Sequence, residues 1–185
     1  MRILTLANQL TFLRILVIPA FVLLVTYGYL GWALLAFIAA GLTDALDGLI
    51  ARRADQRTSL GAWLDPMADK LLVVTTFVVL TLPAVDVVNH IPLWLTVLLI
   101  SRDVVIVGVV AIVNLAVGPR TFRPSLLGKA ATATYLVVSI VFLFFNWRRE
   151  HSVLIDVAVY AALALTVVSS ADYFLRMRRL INEGH

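Results

Sequence analysis

The apolar positions of this chain fall in long runs, parted by short polar or turn-forming breaks. Those breaks predict six helices, over residues 10–29, 31–52, 59–82, 92–117, 125–145 and 152 to about 175. Each run reaches roughly the 20 residues that one membrane crossing needs. Pro19 is expected to kink the first. Thr58-Ser59 reads as an N-cap for the third, and Pro92 and Pro124-Ser125 mark the starts of the fourth and fifth. Residues 1–9 are expected to form a short interfacial helix. Trp32, Trp63, Trp94 and Trp147 stand near run ends, where an aromatic belt belongs. There is no tandem repeat, low-complexity tract or long linker, so residues 1–185 read as a single membrane domain. The expected fold class is all-α, a polytopic membrane protein with six transmembrane helices.

Composition agrees with that pattern. Of 185 residues, 62% are hydrophobic and 14% charged. A soluble domain averages about 45–50% apolar and about 25% charged. A globule this short could not hide so much apolar surface, which excludes a soluble enzyme, a disordered tail and a fibre. The chain has no cysteine, so disulfides and thiolate metal sites are excluded. The net charge of +4 points to basic edges against anionic lipid headgroups, with no nucleic acid expected. The N-terminal run has no small-residue cleavage site before a polar region, and reads as a retained segment.

The basic residues orient the runs. Arg2, Arg14, Arg52, Arg53, Arg57, Arg120, Arg123, Lys129, Arg176, Arg178 and Arg179 fall at ends and loops of one side, against Arg148 and Arg149 on the other. This positive-inside bias predicts that both termini and the 2–3 and 4–5 loops face the cytoplasm. An integral multi-pass protein of a bacterial inner membrane is expected, its site toward the cytoplasmic side.

Four acids then stand out, Asp44 and Asp47 in the second run and Asp65 and Asp69 in the third. An Asp at the centre of a span costs about 2.5–3.5 kcal/mol even on the mildest scale. The i,i+3 and i,i+4 spacings put each pair on one helix face. A short loop between the runs predicts an antiparallel hairpin, with all four acids within roughly 15 Å of its cytoplasmic end at 1.5 Å rise per residue. Four such carboxylates must be partly protonated or neutralised by cations. Oxygen ligands suit Mg²⁺, Mn²⁺ or Ca²⁺, and a pair of divalent ions suits phosphoryl chemistry. Gly48, Ala51 and Gly61 leave room near the backbone, and close helix packing explains such small residues equally well. Arg52 and Arg53 stand at the mouth, where guanidinium groups hold phosphate oxygens.

The segment reads Asp44-Ala-Leu-Asp47-Gly48-Leu-Ile-Ala51-Arg52, then eight residues, Gly61, three residues, Asp65, three residues, Asp69. It resembles, at every fixed position, the D-x2-D-G-x2-A-R-x8-G-x3-D-x3-D signature of the CDP-alcohol phosphatidyltransferases. The resemblance implies a six-helix membrane enzyme that transfers a phosphatidyl group from CDP-diacylglycerol to an alcohol and releases CMP. It implies two divalent cations, Mg²⁺ or Mn²⁺, on Asp44, Asp47, Asp65 and Asp69, with Asp69 also the general base. Gly48, Ala51, Arg52 and Gly61 would then meet CDP-diacylglycerol, and a homodimer is implied.

Ala7-Asn8-Gln9-Leu10-Thr11 and Arg14 resemble the opening of the glycerophosphate and cardiolipin-synthase branch, with Ala7 where that branch has Pro. Ser101-Arg102-Asp103 is similar to the cardiolipin-synthase side of it, and the Pro119–Thr132 stretch fits both. The implied acceptors are glycerol-3-phosphate or phosphatidylglycerol, with Arg102, Arg120, Arg123 and Lys129 as candidates for the acceptor phosphate. Arg102 lies deep in the fourth run, where pairing with Asp103 is expected. Arg120 and Arg123 serve equally as cytoplasmic anchors, and Lys129 can snorkel to the interface. The alternatives are another alcohol, such as inositol phosphate or serine, and a cation or proton transporter using the acids as a relay. The transporter leaves Gly48, Ala51, Arg52 and Gly61 unexplained. Asp86, His90, His151 and His185 read as solvated, and Asp156 has no assigned role.

Overall fold

The computed structural model describes residues 6–54, 59–117 and 126–182, with side chains described for 13–43, 68, 70–109, 115 and 126–175. Six helices account for almost all of it: α1 (Leu6–Thr26), α2 (Leu30–Ala54), α3 (Ser59–Thr81), α4 (Leu93–Val117), α5 (Leu126–Arg148) and α6 (Val153–Asn182). No strand occurs among the described residues. The helix bounds follow the apolar runs closely. Leu6–Gln9 form the start of α1, however, so the described part of the expected interfacial helix is continuous with it. The helix also continues through Pro19.

The polar residues inside these helices are mostly satisfied locally. The hydroxyls of Thr26, Thr43, Thr76, Thr81, Thr132, Thr134 and Thr166 each donate to the carbonyl four residues back. An apolar helix carries threonine this way without needing a distant partner. Where the chain turns, ends are capped. Ser152 Oγ accepts the Leu154 N–H at the start of α6. Asp156 lies in the first turn of the same helix, where a carboxylate faces the positive end of the helix dipole.

Two helices among the described residues are long and apolar enough to cross a membrane, over Leu126–Arg148 and Val153–Leu175. Shorter apolar stretches occupy Leu13–Thr26, Leu30–Thr43 and Lys70–Thr81. Large apolar side chains are exposed along the helices, including Leu16, Leu35, Val104 and Val157. Apolar surface on that scale calls for lipid or a partner.

The contacts gather into two compact units. One comprises residues 1–90 and 139–151. In it α1 packs on both α2 and α3, and α2 on α3. Its core holds Phe21, Phe37, Phe77, Leu80 and Phe142, each almost wholly buried, with the Phe21 and Phe37 rings 6.1 Å apart. Gly31 lets the Trp147 indole lie against α2; a Cβ there would stand 2.8 Å from Nε1. The other unit comprises residues 91–138 and 152–185, with α4 packed on α6 and Leu95, Leu99, Val138 and Ala162 buried.

Candidate active site

Asp44, Asp47, Gly48, Ala51 and Arg52 lie within α2, and Gly61, Asp65 and Asp69 within α3. Both helices run unbroken through the motif. The register is symmetric about the connection. Asp44 precedes the end of α2 by ten residues and Asp69 follows the start of α3 by ten. At 1.5 Å per residue both are about 15 Å from their helix ends. Asp47 and Asp65 are both about 10 Å from those ends. The side chains of all eight motif residues lie outside the described residues, as do Arg120 and Arg123 altogether.

The donor chemistry fits divalent ions. Four carboxylates offer only hard oxygen ligands. Elsewhere, no cluster of three or more His, Cys, Asp or Glu suited to a metal occurs among the described residues.

The described cations fall into two kinds. Lys129 is exposed near the start of α5. Arg102 is buried, its side chain 7% exposed, and its NH1 donates to Asp103 Oδ1 at 3.1 Å. The expected pairing within α4 is therefore present. Among the described residues, Arg102 Nε is buried and has no hydrogen-bond acceptor. A cavity lies beside it, lined also by Ser101, Ser170 and Tyr173. Nearby, Tyr135 and Thr166 are joined by a buried 2.6 Å hydrogen bond. The Thr166 hydroxyl already donates to Ala162 O, so Tyr135 is the donor. The charges of Arg102 and Asp103 act on the same Tyr135 hydroxyl.

Two buried features escape sequence reasoning. Arg14, read there as an orientation mark and a motif position, is 3% exposed on α1. Its signal was available, a lone cation inside an apolar run. The other is a polar knot in the first unit. Asn146 Oδ1 accepts the Asn89 backbone N–H at 2.7 Å, and Asn146 Nδ2 donates to Asn89 O at 2.9 Å. Asn89 Nδ2 donates to Glu150 O, and His151 Nδ1 donates to Asn89 Oδ1 at 2.7 Å. Two asparagines 57 residues apart gave no pattern that could announce this pairing.

The family model for CDP-alcohol phosphatidyltransferase matches residues 4–168. The chain belongs to that family. Among relatives of this phosphatidyltransferase, a "probable phosphatidylglycerophosphate synthase" of Mycobacterium tuberculosis is 33% identical over 96% of this chain and 84% of its own length. A "cardiolipin synthase (CMP-forming)" of Streptomyces coelicolor is 38% identical over 71% of this chain and 61% of its own. A "CDP-diacylglycerol--glycerol-3-phosphate 3-phosphatidyltransferase" of Pseudomonas fluorescens is 43% identical over 54% of this chain and 51% of its own. The names divide between phosphatidylglycerophosphate or glycerol-3-phosphate enzymes and cardiolipin synthases. The family match also stops before the end of α6, leaving Ser170, Tyr173 and Phe174 beyond it.

Proposed function

We propose that this phosphatidyltransferase moves a phosphatidyl group from CDP-diacylglycerol to a glycerol-type acceptor, glycerol-3-phosphate or phosphatidylglycerol, in glycerophospholipid synthesis. The observation that carries the reading is the complete eight-position motif on two continuous, mutually packed helices. A transporter needs the acids alone, not Gly48, Ala51, Arg52 and Gly61 at these spacings.

In the proposed reaction the acceptor hydroxyl oxygen attacks the phosphorus that bears diacylglycerol. A new O–P bond forms in line as the P–O bond to CMP breaks, and CMP leaves with that electron pair. Asp69 takes the hydroxyl proton as general base, at one end of the acid cluster. Gly48, Ala51 and Gly61 admit the cytidine nucleotide close to the helix backbones, and Arg52 meets its diphosphate with paired N–H donors. Asp44, Asp47, Asp65 and Asp69 would hold two divalent ions, Mg²⁺ or Mn²⁺. When bound, these supply positive charge against the phosphate oxygens. Arg102, Arg120, Arg123 and Lys129 are proposed for the acceptor phosphate.

The same reading takes residues 1–185 as one membrane domain of six spans in a bacterial inner membrane, working as a homodimer. The 11-to-2 distribution of basic residues supports a cytoplasmic site. The family match across residues 4–168 supports a single domain.

The test is CMP release from CDP-diacylglycerol with each acceptor, with serine and inositol phosphate as controls. Release should require Mg²⁺ or Mn²⁺ and stop on chelation. Asp69→Asn should lower kcat by about 10²–10⁴-fold, the usual contribution of a general base. Unchanged turnover in Asp69→Asn, or ion flux in sealed vesicles without CMP release, would sink the reading.

A further inference from the structure

A cavity of about 450 Å³ lies in the first unit, at the start of α2, within the size range of small-molecule sites. Two left-handed turn residues border it, Gly28 before α2 and Arg149 after α5. Asp44, the first motif acid, stands fourteen residues beyond Leu30 along α2, or about 21 Å at 1.5 Å per residue. The cavity is therefore separate from the motif.

Four observations bear on what fits there. The first is the polar side chains of its lining, Arg149, Tyr29, Trp32 and Trp147. Guanidinium and indole N–H groups donate and cannot accept, and a phenol can donate too. Such a set suits an acceptor-rich anion, whereas an ammonium group would stand against the Arg149 charge. The second is the wall. Leu34 and Leu35 line the cavity one turn into α2, so donors at its mouth give way to hydrocarbon along one helix. Tyr29, Trp32 and Trp147 are each more than half exposed, and such amphipathic rings belong at a lipid–water boundary. The Trp147 indole is seated on Gly31, where a Cβ would stand 2.8 Å from Nε1. The third is the backbone of Arg149, at φ 54°, where the matching turn has Gly28. A side chain is disfavoured in that region, and such strain gathers at ligand clamps. The turn gains nothing from an arginine, but the cavity gains a cation. Its ion pair with exposed Asp86, at 3.7 Å, is long and solvated, and leaves guanidinium donors for a ligand. The fourth is charge placement. Arg148 and Arg149 run against the positive-inside bias of the other eleven basic residues, and an anionic headgroup gives them a partner.

We propose that this cavity binds an anionic membrane phospholipid that takes no part in the transfer reaction. The lipid phosphate lies on Arg149, the ester carbonyls accept from the aromatic rim, and an acyl chain starts along Leu34 and Leu35. The site needs none of the chemistry at the motif, so it stands or falls separately from the proposed function.

The test is thermal unfolding of the full chain in detergent and EDTA, titrated with phosphatidic acid. That lipid is an anionic phosphate ester with no alcohol to serve as acceptor. The parent should melt higher as lipid is added, as a ligand of the folded state requires. Arg149→Gly relieves the turn and removes the cation together. Without lipid it should melt no lower than the parent. Half of its lipid-induced shift should need about tenfold more phosphatidic acid, a loss of about 1.4 kcal/mol. Arg149→Gln leaves the turn as it is and should show the same tenfold loss, which serves if the glycine variant is altered in fold. Trp32→Ser, at the exposed rim, should weaken the lipid effect by a smaller factor. Lipid bound at the motif end is common to all these proteins and cancels in the comparison. Phosphatidylcholine with the same acyl chains, and inorganic phosphate, should each shift the parent less than phosphatidic acid does. Equal titrations for the parent and both Arg149 variants overturn the site. An equal parental shift with phosphatidylcholine overturns the anionic ligand, and one with inorganic phosphate overturns the lipid.

Discussion

Asn146 and Arg102 are both buried polar side chains inside apolar helices, one in each unit, and they end differently. Asn146 is fully buried, and both ends of its amide are engaged by Asn89. Asn89 in turn holds Glu150 O and the His151 ring. Arg102 is 9% exposed, yet its Nε meets no acceptor among the described residues and a cavity lies beside it. A buried group whose bonds are complete fixes a chain crossing, because every alternative arrangement leaves it unpaired. One left incomplete beside a cavity retains capacity for a ligand. Burial alone thus does not separate structural from functional polar residues; completeness does.

Asn146→Ala gives the largest expected effect on stability. It strands the Asn89 backbone N–H and carbonyl in a buried place, each at about 1–3 kcal/mol. A loss of about 3 kcal/mol, read as a lower melting temperature in detergent, is expected with acceptor KM unchanged in the protein that remains folded. A shifted KM at constant melting temperature would break the comparison.

Arg102→Gln should do the reverse, raising acceptor KM about tenfold, or about 1.4 kcal/mol. Asp103 loses its guanidinium in that variant, so a fall in stability alone decides little. The double variant Arg102→Gln/Asp103→Asn removes both charges together, and removing a buried pair whole is often near neutral for stability. It should melt close to the parent and keep the raised KM. Recovery of the parental KM in the double variant would show Arg102 to be merely Asp103's partner.

Tyr135→Phe sharpens the rule from within the second unit. The Tyr135–Thr166 bond is buried and complete, as Thr166 retains its bond to Ala162 O without it. The expected cost is about 1 kcal/mol of stability, with no change in acceptor KM, although the charges of Arg102 and Asp103 reach the same hydroxyl.

These contrasts also mark what the sequence could carry. Helix bounds were legible, since the apolar runs stop at Pro92, Ser152 and the motif loop, close to where α4, α6 and α3 begin. The motif was legible because its chemistry is a spacing along two adjacent helices, and spacing is a one-dimensional property. Arg102's burial and its Asp103 partner were legible for the same reason, being neighbours in one apolar run. The Asn89–Asn146 knot was not, since asparagine is common in loops and the pairing spans 57 positions. Nor was the part of the cavity wall made by Ser170, Tyr173 and Phe174, which becomes a wall only once α6 packs on α4. Asp156 had no assigned role in the sequence, and its place in the first turn of α6 supplies an electrostatic one.

The smallest expected effects concern two helix ends built alike. At the end of α1, Gly28 N–H donates to Val25 O and Tyr29 N–H to Leu24 O, with Gly28 at φ 79°. At the end of α5, Arg149 N–H donates to Asn146 O and Glu150 N–H to Phe145 O, with Arg149 at φ 54°. Both are Schellman closures, whose left-handed residue is usually glycine. Nothing crowds a Cβ at Gly28, so Gly28→Ala tests the backbone alone and should cost about 1 kcal/mol. Arg149→Gly should gain somewhat less than that, because glycine adds disorder to the unfolded chain. Its ion pair with Asp86, 3.7 Å apart and exposed on both sides, contributes little. The gain matters to the opening comparison because the Arg149 N–H closes on the Asn146 carbonyl. If Arg149→Gly raises the melting temperature and deepens the loss in Asn146→Ala, the knot and the helix end act as one structural device. If the two effects simply add, the side-chain knot holds the crossing without help from the turn.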